Sequence, residues 1–264
     1  MSAPSLSLLP LAEAVAAIAP HQRAKPPAMA NGRTSVIVHQ YWDRDPPAEV
    51  LALLRHNARL VRGCGASYRL WTARRAEVFL AARAPDLLPL FKRAPHPAMA
   101  CDLLRLCLLH AYGGIYLDAD MSLRARWAGR GHEVLRWLQD GLVCRWNRKD
   151  RGNLLNWCFG FRAGDPLCAA LIAATAASMT HALDRDAKAA LRNTLTVSGP
   201  ALFTRVVGTW IAAQGCPPGL VILDARQAYA RIQYGHDSIV PLALRREPLA
   251  YKATTRHWFR AAQD

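Results

Sequence analysis

Between residues 35 and 118 the chain switches repeatedly between strand-like and helix-like hydrophobic spacing, and this alternation constrains the fold most. SVIVHQYW (35–42) is a short β-branched apolar run, which predicts a buried strand. PPAEVLALLRHNARL (46–60) has prolines where a helix can begin and helical apolar spacing after them. SYRLWT (67–72) alternates like a strand, while RRAEVFLAARA (74–84) and DLLPLFKR (86–93) are helical, with a bend expected at Pro89. The spacing is helical again from Met99 to Tyr112, and Gly113–Gly114 supplies a left-handed residue to end it. IYLD (115–118) then predicts a short buried strand. Strand–helix–strand–helix–strand implies an α/β fold with a mostly parallel sheet and helices on its faces. Ligands of such sheets bind beyond the carboxyl ends of the strands, where VHQYW and YLDAD carry their polar residues.

The second half is less regular. GLVCRWN (141–147) and LLNWCFGFRA (154–163) read as strands around a turn containing KDRGN, and GLVILD (219–224) as another. PLCAALIAATAASM (166–179) and ALFTRVVGTWIAAQ (201–214) read as helices. The arginine-rich tail after Pro241 gives no assignment.

At 52% hydrophobic residues the chain can bury a sizeable core, and 264 residues make one domain the default. Lys and Arg outnumber Asp and Glu 34 to 19, a net charge of +15 that favours anionic partners. Seven cysteines, an odd number with no CxxC pair, argue against a zinc site or a disulfide framework. The N-terminal SLSLLPLAEAVAAIAP lacks a basic leader, is interrupted by Glu13 and is too short to span a bilayer; it reads as an amphipathic helix followed by a linker. No other charge-free run of transmembrane length is expected.

D-x-D occurs three times, at Asp43/Asp45, Asp118/Asp120 and Asp184/Asp186. The first precedes two prolines and suits a turn; the last sits in a charged, Ala-rich surface stretch. Only Asp118/Asp120 follows both a buried strand and a glycine-broken helix. Two carboxylates there repel unless a cation lies between them, and hard oxygen ligands suit Mn²⁺ or Mg²⁺ held together with phosphates. Asp102 and Arg105, three apart, share one face of the preceding helix.

HPAMACDLLRLCLLHAYGGIYLDADM resembles the central signature of glycosyltransferase family 32, an Asp, an Arg three later, then Y-G-G-x-Y-x-D-x-D. VIVHQYW resembles that family's first strand, SGPALFT its later T-G-P element and the terminal HW its H-x-W region, all in family order over residues 35–258. The resemblance implies a GT-A fold, with a Rossmann-like nucleotide-sugar-binding half (34–123) continuous with a less regular acceptor-side half (124–264). Residues 1–33 would then be a preceding apolar segment and linker. It also implies a UDP- or GDP-sugar donor, Mn²⁺ or Mg²⁺, and retention of anomeric configuration.

Residue by residue, the resemblance makes Asp120 a direct metal contact and gives Asp118 the ribose, the sugar or the metal through water. Asp102 would accept a hydroxyl of the donor sugar, and Arg105 would contact the same sugar or its phosphate. Trp42, with Tyr41 before it, would surround the base, and Tyr116 would pack beside the nucleotide. Asn156 corresponds to an asparagine touching the donor sugar, with Asn153 an equal rival. Gly199 and Pro200 would shape an acceptor-side turn. His257 would be a third metal or diphosphate ligand, although the second Trp that follows it in the family is absent here.

Three readings follow. The first is a retaining, metal-dependent glycosyltransferase with a glycan or lipid-linked acceptor, cytoplasmic and peripheral at an anionic inner membrane face. The second is a basic anion-binding protein keeping the fold without activity. The third, a phosphoryl-transfer enzyme or hydrolase, lacks a P-loop or a histidine cluster. Scattered arginines without interleaved aromatics argue against nucleic acid as a partner.

Overall fold

The structure is a computed structural model and describes residues 7–23, 36–123, 142–145, 152–224, 238–239, 244–254, 257–261 and 263. A short helix α1 (Leu11–Ile18) and strand β1 (Gln22–Arg23) come first. The predicted alternation follows as β2 (Ile37–Tyr41), α2 (Ala48–Gly63), β3 (Ser67–Trp71), α3 (Ala73–Arg83), α4 (Leu88–Arg93), α5 (Pro97–Tyr112) and β4 (Gly114–Leu117). Next are β5 (Met121–Leu123), β6 (Leu142–Arg145), β7 (Leu154–Leu155) and β8 (Cys158–Phe161). The helices α6 (Pro166–Arg185) and α7 (Pro200–Gln214) flank two short helical turns and lead to β9 (Val221–Asp224). The described tail holds β10 (Ser238–Ile239) and β11 (Leu244–Arg246).

The central sheet has the order β3-β2-β4-β8. β2 pairs in parallel with β3 and β4, and β8 adds antiparallel to β4, so the sheet is mostly parallel and flanked by helices, as the alternation predicts. A second sheet runs β1-β9-β6-β7, and β5 joins a small antiparallel sheet with β11 and β10. Of the KDRGN turn, residues 149–151 lie outside the described residues.

The two glycines after α5 are required by geometry. Gly113 ends the helix at φ 64°, and Gly114 opens β4 at φ 98°, both left-handed positions. A Cβ on Gly114 would lie 2.2 Å from the Ile37 carbonyl oxygen, so only glycine lets β4 approach β2. α5 itself is buried from Met99 to Leu109, and Pro97 stands in its first turn with the His96 ring accepting from the Ala98 amide.

Three expectations are corrected. Pro89 does not bend a helix: it sits in the first turn of α4, after a separate 3₁₀ turn at Pro85–Leu87, where its missing N–H leaves no broken bond. LLNWCFGFRA is not one strand: Leu154–Leu155 joins the second sheet and Cys158–Phe161 the central one, with Asn156 and Trp157 at the break. The described part of the expected preceding segment 1–33, residues 7–23, does not simply precede the domain. Ala14 and Ile18 of α1 are fully buried, and a Cβ on Gly208 of α7 would lie 2.4 Å from the Ala14 carbonyl oxygen. Arg205 Nε donates to the Leu9 carbonyl at 2.9 Å, and the Leu9 amide donates to Thr209 Oγ1 at 3.0 Å.

The helix α6 also differs from expectation. It runs on to Arg185 and is long and apolar enough, by length and composition, to cross a membrane. Its inward residues, among them Leu167, Leu171 and Met179, belong to the main core cluster. The six cysteines with described side chains are all free.

His39 at the centre of β2 is fully buried. Trp71 Nε1 can only donate, and it donates to His39 Nδ1 at 3.1 Å, so His39 Nε2 carries the proton and donates to the Gly113 carbonyl at 3.0 Å. Burial, aided by the Arg69 charge and opposed by the Gly113 bond, lowers its pKa to about 4. A depressed histidine pKa stabilises the fold above the unfolded value near 6.5, and this is lost as pH falls through about 4. The stability advantage of the wild type over His39→Gln should therefore grow by about 3 kcal/mol between pH 4 and pH 6.5. Paired urea titrations at both pH values measure this, and a pH-independent difference would refute it.

Candidate functional site

At the carboxyl end of β4 the residues of the helix and the strand converge. Asp102 and Arg105 sit one turn apart on α5 and are both buried, with the guanidinium 2.9 Å from the carboxylate. Arg105 uses its whole fork: Nε donates to the Cys101 carbonyl at 3.3 Å, Nη1 to the Asn156 carbonyl, and Nη2 to Asp102. The same guanidinium lies 4.6 Å over the Tyr116 ring and 3.5 Å from Asp118 Oδ1. Asn156 Nδ2 donates to Asp102 Oδ1 at 3.1 Å, and Ser198 Oγ donates to Asp102 Oδ2 at 2.7 Å. A carboxylate offers about four lone-pair positions, so three are filled and one on Oδ2 is left. Burial pushes the Asp102 carboxyl up from its ordinary pKa, against the pull of Arg105, Ser198 and Asn156.

Asp118 and Asp120 flank Ala119 in the turn between β4 and β5. Asp118 is fixed through its backbone: its amide donates to the Trp157 carbonyl at 2.8 Å, and its carbonyl accepts from Gln40 Nε2 at 3.0 Å. Gln40 is itself held by Asn57 and Tyr68, so the first strand and α2 set the position of the turn. The Asp118 side chain keeps 31% of its surface exposed. Burial first, and then the charges of Asp120 and Asp102, raise its pKa to about 6 despite Arg105. Asp120 Oδ2 lies 2.7 Å from Lys252 Nζ, which also donates to the Glu247 carbonyl at 2.7 Å. The Glu247 amide donates to the Asp120 carbonyl at 2.8 Å, and Ser122 Oγ donates to Glu247 Oε1 at 2.5 Å. Glu49 at the start of α2 accepts the Ala250 and Tyr251 amides, which ties the same tail segment to the first half.

Three carboxylates thus face two cations, and a diphosphate would add negative charge. The donor set, hard oxygens with an ammonium standing against one of them, fits a divalent cation at Asp118 and Asp120. Among the described residues no three His, Cys, Asp or Glu side chains are grouped so that they could hold a metal ion, so the expected third ligand His257 is not brought together with Asp118 and Asp120. His257 is placed beside the Tyr251 ring, 6.2 Å between centroids, with its amide on the Thr254 carbonyl.

The other expected residues separate by role. Trp42 is half-buried at the end of β2, its indole N–H on the Arg44 carbonyl and its ring edge-on to Tyr251 at 5.1 Å. It borders the DXD turn through Ala119, in a cluster with Val50 and Leu54. Tyr41 is core: its ring packs edge-on against Phe91, and burial pushes its hydroxyl pKa well up, so its backbone is what it offers to the site. Tyr116 is also buried, its hydroxyl 2.9 Å from Cys101 Sγ, and it serves as a platform beneath Arg105. Asn156, rather than Asn153, joins Asp102; the Asn153 side-chain oxygen Oδ1 is buried and has no hydrogen-bond partner among the described residues. Gly199 precedes α7, and its neighbour Ser198 is the one that reaches the site. Asp45, at φ 42°, lies in a turn, while Asp184 pairs with Arg93 and Asp186 caps a helical turn.

Ser198, Lys252 and Glu247 were not anticipated. Ser198 stood next to a recognisable glycine and proline. Lys252 is one of many basic residues in a tail without periodicity, and nothing in the sequence marks it.

Residues 54–134 match the model of the glycosyltransferase sugar-binding region containing a DXD motif. Over that stretch the chain is similar to this region. Its boundaries enclose Asp102, Arg105, Asp118 and Asp120, the four charged groups assembled above. The match supports a DXD glycosyltransferase. Among solved structures, "PaToxG Glycosyltransferase" is similar at 13% identity and a TM-score of 0.43, covering 77% of this chain and 74% of that one. No curated protein matches the chain.

Proposed function

We propose that the chain transfers a hexosyl group from a nucleoside-diphosphate sugar to a glycan or lipid-linked acceptor, with Mn²⁺ or Mg²⁺ held by Asp118 and Asp120. The observation that carries this reading is the single hydrogen-bonded unit of Asp102, Arg105, Asn156 and Ser198 opening onto the DXD turn. When bound, the metal supplies positive charge against the departing diphosphate. The remaining position on Asp102 Oδ2 accepts a sugar hydroxyl, and Arg105, Asn156 and Ser198 together fix that carboxylate. Trp42 offers its exposed face to the base at the end of β2. Lys252 balances Asp120 before donor arrives and is placed to meet the diphosphate after it.

The bond between the anomeric carbon and the diphosphate oxygen breaks while the acceptor oxygen attacks from the same face. The acceptor proton passes to the departing phosphate, and configuration is retained. This course needs no carboxylate nucleophile. Membership of family 32 rests on the signature around Tyr112–Asp120. The division into a donor half (34–123) and an acceptor half (124–264), and work in the cytoplasm at an anionic membrane face, complete the proposal. The charge of +15 supports the last point.

The test is hydrolysis of a panel of UDP- and GDP-sugars with Mn²⁺, Mg²⁺ or chelator present. Release of nucleoside diphosphate from one donor, abolished by chelator, is expected. Failure to bind or cleave any donor with either metal would overturn the reading.

A further inference from the structure

A cavity of about 980 Å³ lies apart from the DXD site and shares no lining residue with it. It is a groove along β3, the edge strand of the central sheet, walled by α2 on one side and α3 on the other. Six arginines line it, Arg55, Arg62, Arg69, Arg74, Arg75 and Arg83, and no Asp or Glu does. All six are exposed, and among the described residues none forms an ion pair. Three are oriented by rings: Arg69 lies 4.7 Å and Arg83 6.0 Å over Tyr112, and Arg62 lies 6.0 Å over Tyr68. Between the charges the walls are apolar, with Leu51, Leu54 and Val78, the last 67% exposed.

The strand at the floor has an open side. The Ser67 amide donates to the Val36 carbonyl and the Trp71 carbonyl accepts from Trp42, both toward β2. In a parallel ladder alternate residues bond on the same side, so Tyr68 and Leu70 turn their N–H and C=O groups into the groove. The Leu70 carbonyl takes a hydrogen bond there from Arg75 Nη1 at 3.0 Å, and no strand pairs with this edge among the described residues.

We propose that this groove binds an acidic, extended segment of a partner protein, which adds to β3 as a further strand. Backbone groups of Tyr68 and Leu70 supply the ladder, the arginines meet alternate carboxylates, and the apolar walls take the side chains between. Charge selects this occupant over the chain's own segments and over a second copy. Residues 24–35 carry Lys25 and Arg33 with no acid, residues 124–141 carry four arginines against Glu133 and Asp140, and the whole chain is at +15. The unpaired strand edge selects a peptide over a lipid headgroup or a nucleic acid, neither of which can complete a β-ladder. Long exposed edges invite pairing, and this one is guarded by arginines that exclude basic strands.

The full chain is titrated with a fluorescein-labelled heptapeptide of alternating Glu and Val, read by polarisation. The same peptide N-methylated at every backbone nitrogen, phosphatidylglycerol vesicles and a single-stranded oligonucleotide are the comparison probes. Salt-sensitive binding is expected, weakened about tenfold or more both by N-methylation and by the exposed double substitution Arg62→Glu with Arg74→Glu. Nucleotide-sugar turnover, measured alongside, should not change in that variant. Equal binding of the N-methylated peptide would overturn strand addition. Absence of peptide binding, or binding of vesicles or oligonucleotide in its place through Arg62 and Arg74, would overturn the proposal.

Discussion

Arg105→Met is expected to lower the unfolding free energy by about 3–5 kcal/mol, the range for removing one partner of a buried ion pair. Arg105 is the hub of the buried cluster: it satisfies two backbone carbonyls and Asp102 and stacks on Tyr116. Without it Asp102 is a buried carboxylate that burial already drives toward the protonated form, and the Cys101 and Asn156 carbonyls each lose a charged donor. For a domain of this length the melting temperature should fall by roughly 10 °C. Arg105→Lys keeps the charge but cannot reach three acceptors in one plane, so it should recover only part of the loss. Melting temperatures within a degree of wild type for Arg105→Met would mean that the cluster is not the support described here.

Asp120→Asn should leave the fold nearly intact, within about 1.5 kcal/mol, and reduce metal-dependent turnover by about 10²–10³-fold. The two effects separate because Asn keeps an oxygen that can accept from Lys252 Nζ in place of the buried carboxylate, and because Lys252 also retains the Glu247 carbonyl. The substitution removes one negative charge and one hard oxygen while keeping shape. Calorimetry with Mn²⁺ and nucleoside diphosphate distinguishes it from a fold defect: metal-dependent nucleotide binding should disappear while the unfolding transition stays in place. A variant that still turned over donor in a metal-dependent manner would remove Asp120 from the site.

The parts of the fold visible in the sequence were those written in short-range chemistry. The order from β2 to β4 follows from period and from Gly113–Gly114, whose necessity is a contact with Ile37 that the pattern announces without naming. The pair Asp102–Arg105 was legible because both partners lie on one helix. Asn156 was harder, since its role comes from a break between strands that join different sheets. Ser198 and Lys252 reach the site from 96 and 132 residues beyond Asp102 and Asp120, and no local pattern encodes such distances. Tyr41 was expected beside the base from the resemblance alone, and its ring instead packs into the core against Phe91, a partner 50 residues away that no local pattern names.

The seating of α1 on α7 has a consequence for synthesis. The amide of Leu9 finds its hydroxyl partner 200 residues later, at Thr209. At about 5–20 residues per second a ribosome takes on the order of 10–40 s to cover that interval. Throughout it the apolar face carrying Ala14 and Ile18 has emerged and its docking surface does not yet exist. The first helix of the chain is therefore among the last to lock, and a nascent chain paused before residue 200 presents a ready handle for a chaperone.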